Sequence, residues 1–275
     1  MSPMLTIPTL ALDTGARIPQ VGLGVWQAAR GETVSAVQTA LRLGYRHIDT
    51  ARIYGNEAEV GQAVRASGLP RSEVFVTTKL WNADQGYDTA LRAFDASLER
   101  LGLETIDLYL LHWPVAGKRL ESWRALERIF EEKRARAIGV SNFLVPHLQE
   151  LLAHAKVVPA VNQIEVHPFL QHRDTRAFCA SHQIVVEAYS PLTHGARLKD
   201  PAITEVARRA GRTNAQVLLR WGVQHGMVVL PKSVTESRIA ENAAVFDFTL
   251  DEAAMAKLDA LDEGAATGWD PRTQK

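Results

Sequence analysis

Asp49, Tyr54, Lys79 and His112 each stand at or just past the end of a short apolar run, in GYRHIDTARIYGNE (44–57), VFVTTKLW (74–81) and IDLYLLHWP (106–114). An acid, a phenol, an amine and an imidazole delivered to three successive strand ends make up the parts of a proton-transfer site. A tyrosine phenol ionises near pH ~10 and is a poor acid or base at neutral pH. A neighbouring ammonium favours the phenolate and lowers that value. Lys79, itself held by the Asp49 carboxylate, is placed to act in this way on Tyr54. His112 is placed to orient a carbonyl group or to share in donating a proton to it. Each residue alone has a structural reading: Asp49 as a cap, Tyr54 as a wall aromatic, Lys79 and His112 as solvated strand ends. Their convergence favours chemistry.

The elements that must position them alternate along the chain. Apolar runs at 21–25, 47–49, 74–79, 106–112, 137–140, 160–165, 184–189 and 228–231 predict eight strands. Amphipathic stretches such as 31–44, 88–102 and 120–132 lie between them. The last of these puts Leu120, Trp123, Leu126, Ile129 and Phe130 on one face. Repeated strand–helix alternation predicts a single α/β domain over 1–275, a parallel (β/α)8 TIM barrel with chemistry at the C-terminal strand ends. The longer interval from 184 to 228 leaves room for a loop and an extra helix. The segment TIPTLALDTGARIP (6–19) predicts an N-terminal β-hairpin turning at Asp13-Thr14-Gly15 and capping the barrel bottom. A dinucleotide fingerprint at Gly22-Leu23-Gly24 fails, because the third glycine position is Gln27 and no helix clearly opens there.

Composition narrows the possible partners. The 275 residues carry 31 basic and 31 acidic side chains, so no global field draws nucleic acid or an acidic membrane surface. With Cys179 as the single cysteine, no internal disulfide can form. The N-terminal segment lacks the pattern of a signal peptide, and no run of about 18 apolar residues occurs. A cytoplasmic protein without membrane or nucleic-acid partners is expected, with a monomer as the default. His167 and His172 flank Pro168 and share no helix face, so no metal site is expected. Cys179, Glu165, Glu187 and His47 are expected to be structural.

Seven motifs carry a full-length resemblance: GYRHIDTARIYGNEAEVG (44–61), TTKLW (77–81), LHWP (111–114), GVSNF (139–143), NQIEVHP (162–168), AYSPL (188–192) and LPKSVTESRIAEN (230–242). In this order they resemble the aldo-keto reductase superfamily, in particular the bacterial branch with 2,5-diketo-D-gluconate and methylglyoxal reductases. The resemblance implies a catalytic tetrad of Asp49, Tyr54, Lys79 and His112, with Tyr54 donating a proton while NADPH reduces an aldehyde or ketone. It also implies that Ser141, Asn142 and Gln163 bind the nicotinamide carboxamide and that Tyr189 stacks on the ring. Ser190 and Leu192 belong to the same AYSPL cofactor segment, and Glu241 and Asn242 match positions facing the adenine. Lys232, Ser233 and Arg238 follow the last strand at a helix start, a common place for phosphate on barrels. The added cations suit the 2′-phosphate of NADP. Trp26, Trp81 and Trp113 read as aromatic walls for a small carbonyl substrate, or as core packing.

Two departures bear on the pocket. Thr193-His194 stands where relatives often have glycine, and the short tail after Leu261 lacks the long C-terminal loop of the animal enzymes, so a more open pocket is expected. An NADPH-binding redox sensor or scaffold with little turnover is the alternative reading, and a purely structural protein, like the reductase-derived lens crystallins, a third.

Overall fold

The computed structural model describes residues 6–271. Two strands, β1 (Thr9–Ala11) and β2 (Arg17–Pro19), form an antiparallel hairpin. Eight more strands follow in one parallel sheet: β3 (Leu23–Gly24), β4 (His47–Asp49), β5 (Phe75–Leu80), β6 (Ile106–Leu111), β7 (Ala135–Ser141), β8 (Val161–Glu165), β9 (Val185–Tyr189) and β10 (Val228–Leu230). Parallel bridges from Val21 to Val229 and from Gly24 to Lys232 bring the first of them back to the last. The sheet is therefore a closed (β/α)8 barrel. Every residue of β5 and β6 is buried, as a parallel strand demands when side chains fill one face and helices cover the other.

The first strand is shorter than the apolar run 21–25. Its Gly22 and Gly24 amides donate to Val229 O and Pro231 O at 3.0 and 3.1 Å, so the run serves as the seam more than as a full strand. The hairpin turns where expected. Gly15 adopts φ +82°, and the Leu12 amide donates to Ala16 O at 2.9 Å across the turn. Leu12 and Ile18 pack with Phe75, Leu108, Val161 and Val228 in one buried cluster. Phe75, Val161 and Val228 open their strands, so the hairpin closes the N-terminal end of the barrel.

The outer helices, α1 (Arg30–Leu43), α2 (Glu57–Ala66), α3 (Tyr87–Leu101), α4 (Arg119–Glu131), α5 (Val145–Leu152), α6 (Arg173–Ser181), α7 (Pro201–Ala210), α8 (Asn214–Gln224), α9 (Glu236–Ala243) and α10 (Glu252–Asp259), take their places by one-sided burial. On α4 (Arg119–Glu131), Trp123, Leu126 and Ile129 are buried, and Leu120 and Phe130 pack against the same core. The helices α2 (Glu57–Ala66) and α3 (Tyr87–Leu101) touch at Gly61, where a Cβ would collide with the Leu101 carbonyl. The long interval before β10 holds a 3-10 turn at Thr193–Gly195 and two helices, α7 (Pro201–Ala210) and α8 (Asn214–Gln224). Asp200 caps α7 by accepting from the Ala202 amide, and Thr213 caps α8 through Gln216. Cys179 is buried, as expected of a small hydrophobe.

Candidate active site

Four neighbouring segments place the reactive side chains at the C-terminal rim. Asp49 ends β4, Lys79 lies near the end of β5, and His112 follows β6. Tyr54 closes a 3-10 turn, Arg52–Tyr54, that Gly55 terminates in the left-handed region at φ +69°. The register sets Asp49 opposite Thr77 across the β4–β5 ladder, with Lys79 two residues further on the same face. The Lys79 ammonium, completely buried, donates to Asp49 Oδ1 and Oδ2 at 2.7 and 2.9 Å and to Thr50 O at 2.9 Å. It reaches the Tyr54 hydroxyl at 3.5 Å. The His112 ring stands edge-on to both Tyr54 and Trp81, with centroids 5.9 and 5.3 Å away.

Electrostatics assigns the protons. Burial is the largest influence on Lys79 and favours the neutral amine, but Asp49 and Tyr54 outweigh it and hold the value above the ordinary one. Burial pushes the Tyr54 phenol up, and Lys79 offsets only part of that rise. The sequence expectation that the ammonium would bring the phenol below its usual value is therefore corrected: in this site desolvation dominates. Tyr54 keeps its proton at neutral pH, which suits a donor. Burial, followed by the Lys79 charge, sets His112 well below the usual imidazole range, so its ring is neutral. Its Nδ1 is buried, with no hydrogen-bond partner among the described residues.

A cleft of about 960 Å³ opens above these groups. All of the site residues anticipated from sequence line it except Lys79, which lies beneath. Ser141 and Asn142 come from the end of β7. Asn142, at φ +64°, donates to His112 O at 3.0 Å and accepts the Tyr189 hydroxyl at 2.8 Å. Those bonds fix a half-buried aromatic face beside the tetrad. Gln163 donates to Asp49 Oδ2 at 2.9 Å and to Glu187 Oε2 at 2.5 Å, so its amide nitrogen is committed to the barrel interior. At the other end, Lys232 and Arg238 are exposed beside the start of α9 (Glu236–Ala243), and neither has an ion-pair partner among the described residues. Ser233 is buried next to them, with its hydroxyl 3.1 Å from the Thr235 amide. Glu241 accepts from Thr213 Oγ1 at 2.6 Å, and Asn242 is buried on the same helix.

Two wall segments depart from the sequence expectation. Ser190, Thr193 and His194 take positive φ values of 49°, 52° and 51°, a region where glycine would sit without strain. For the β-branched Thr193 this is a rare conformation. Local bonds hold it: Thr193 N to Ser190 O at 2.9 Å, and Arg197 N to Thr193 Oγ1 at 3.1 Å. The loop lays the His194 ring against Trp26, centroids 5.4 Å apart, and so crosses the cleft. The second departure is the tail. Trp269 lines the cleft with its ring 6.5 Å from Trp81 and 5.9 Å from Trp113. The short tail is held there because the Thr267 amide donates to Glu165 Oε1 at 2.8 Å and Ala265 N to Phe169 O at 3.1 Å. The sequence signal was a lone tryptophan in a polar, glycine-bearing tail, with no periodicity to mark it.

The comparisons with known proteins agree with this geometry. Residues 20–263 match the model of the Aldo/keto reductase family. The chain is 52% identical to the 9,11-endoperoxide prostaglandin H2 reductase of Trypanosoma cruzi (strain CL Brener), over 95% of this chain and 94% of that one. It is 48% identical to the glyoxal reductase of Bacillus subtilis (strain 168), over 96% of each. Among solved structures, an aldo/keto reductase from Brucella melitensis superposes with a TM-score of 0.91 at 48% identity, covering 94% of this chain and all of that one. A Bombyx mori aldo-keto reductase in complex with NADP does so with a TM-score of 0.92 at 35% identity, covering 96% of this chain and 95% of that one. The chain belongs to the aldo/keto reductase family of oxidoreductases.

Proposed function

We propose that the protein reduces small aldehydes, α-dicarbonyls or keto sugars to alcohols with NADPH, Tyr54 giving the proton. The observation that carries this reading is the Asp49–Lys79–Tyr54–His112 cluster at the floor of a cleft whose lining continues to Lys232 and Arg238. The chain's own residues fit that cofactor. The half-buried Tyr189 ring offers an apolar face for a nicotinamide, and Asn142 and Ser141 flank it. Lys232 and Arg238, without ion-pair partners among the described residues, offer two cations for a phosphate, and the start of α9 offers backbone amides. When bound, NADPH supplies the hydride that adds to the carbonyl carbon.

The protein's part is to place and protonate. His112, neutral and lining the cleft, donates to or orients the carbonyl oxygen. Tyr54 gives its proton to that oxygen as negative charge develops there. The Lys79 ammonium at 3.5 Å then stabilises the phenolate left behind. Asp49 keeps that ammonium charged and aimed. Trp26, Trp81, Trp113 and Trp269 exclude water above the reacting carbon and favour compact substrates. We also propose that the chain works as one barrel domain.

NADPH oxidation with a panel of aldehydes, α-dicarbonyls and keto sugars tests the reading. Tyr54→Phe should lower the rate by about 10²–10⁴, the usual contribution of a general acid, while NADPH still binds. Wild-type turnover in that variant would remove Tyr54 from the role. A wild-type protein that binds NADPH yet reduces nothing in the panel would favour the sensor or scaffold reading.

A further inference from the structure

Glu187 lies on β9 beneath the tetrad and plays no part in the chemistry above. It is completely buried, as are Lys79 and His47, and Asp49 is nearly so. The groups that face it can be counted strand by strand. On β4 there are Asp49 and His47, whose Nε2 is 3.5 Å from Glu187 Oε1. On β5 there is Lys79, and above it Tyr54. The β8 neighbour is Gln163, which is not titratable, and β10 contributes only Val228, Val229 and Leu230.

That inventory holds one cation for two carboxyl groups. Lys79 directs its hydrogens to Asp49 and Thr50 and reaches Tyr54; none goes to Glu187. His47 cannot supply a second charge, since burial lowers its value to about 3. Among the described residues, Glu187 Oε1 has no hydrogen-bond partner, and Oε2 meets only the Gln163 amide. A second unpaired carboxylate in this interior would cost far more than a retained proton.

We propose that Glu187 is carried as a neutral carboxylic acid, and that in this state it is a positioning residue that holds Gln163 for the cofactor. The acid's Oε2 accepts one Gln163 amide hydrogen while Asp49 accepts the other, which turns the amide oxygen of Gln163 away from both carboxyls. Ionised, Glu187 would bring a second negative charge onto the Asp49–Lys79 pair and disfavour the Tyr54 phenolate that proton donation leaves behind. Burial first, and then the Asp49 charge, push Glu187 up to about 8. The site therefore carries an alkaline ionisation of its own, separate from that of Tyr54. What Gln163 faces rests on the reductase reading; the protonation state does not.

Infrared difference spectra tell the two apart. The protein, without cofactor, at pH near neutrality should show a protonated-carboxyl C=O band that vanishes in Glu187→Gln and moves in Glu187→Asp. The aspartate variant decides the assignment if the glutamine variant folds poorly. A second reading is stability. With its folded value raised from 4.5 to about 8, wild-type Glu187 loses stability as pH rises through that window. The Tm of Glu187→Gln should therefore gain on wild type across it and level off above it. A third is NADPH affinity, which should weaken above pH ~8 in wild type and not in Glu187→Gln. Absence of the band, or a Tm difference that is flat with pH, overturns the proposal. A band present in a protein that does not bind NADPH leaves Glu187 neutral and overturns the reductase reading together with the role of Gln163.

Discussion

At the scale of single residues, the site works by keeping one cation buried against one anion. Lys79→Met should therefore do more than slow the reaction. It leaves Asp49 as an uncompensated buried charge, a loss of about 3–5 kcal/mol for such pairs. The double variant Asp49→Asn with Lys79→Met should recover much of the lost Tm without recovering activity; thermal melts and activity assays of the two variants measure both. His112 leads to a pH prediction. Its ring stays neutral because burial and Lys79 depress it well below the usual range. A depressed imidazole takes up its proton only at acidity beyond its ordinary value, so kcat/KM should show no fall through pH ~6.5, where a free histidine titrates. A fall there that disappears in His112→Gln would contradict the assignment. That these four side chains come together was legible from the sequence, because they fall at or just past the ends of successive strands. The direction of the Tyr54 shift was not legible. It depends on how deeply the ring sits, which no spacing reports, and the ammonium that could be foreseen is outweighed by a desolvation that could not.

At the scale of elements, the candidate cofactor cleft is assembled from the ends of β7, β8, β9 and β10, and its far end is tied to the start of α9. Arg238→Ala combined with Lys232→Ala should weaken NADPH binding and leave NADH binding much less affected. Charge-assisted hydrogen bonds are worth roughly 1.5–3 kcal/mol each, or about tenfold to a hundredfold in affinity per contact. Both side chains are exposed, so the difference should shrink as salt is added. Titration of both cofactors at two ionic strengths measures it; equal losses would make these residues props of the loop. The contact between α2 and α3 leads to a different prediction. Gly61→Ala gains helix propensity of up to about 1 kcal/mol, yet its methyl has nowhere to go but into the Leu101 carbonyl. Overpacking of this kind costs roughly 1–3 kcal/mol, and backbone yields less readily than side chain. A lower Tm with unchanged kinetics is expected, and a raised Tm would show that the helices can part. The strand count and the α4 face were readable because apolar periodicity is local. The left-handed loop at 190–194 was not, since Thr193 and His194 hold it by local bonds with no glycine to mark it, nor was the Trp269 wall, which contacts with the distant Glu165 and Phe169 set.

At the scale of the whole molecule, the barrel is sealed by the pairing of its first and last parallel strands, Val21 with Val229 and Gly24 with Lys232. This seam joins stretches of chain that are made far apart in time. Until β10 has left the ribosome, both β3 and β9 present open edges, and open edges invite pairing with other chains. Non-local closure of this kind is also slow, because the loop entropy must be overcome before any contact rewards it. The proton-handling groups are complete by His112, whereas the candidate cofactor contacts run from Ser141 to Asn242. A half-made chain thus carries its acid long before it carries anything to hold the reductant. The danger to a nascent copy lies in aggregation, and it ends at the moment the last strand docks.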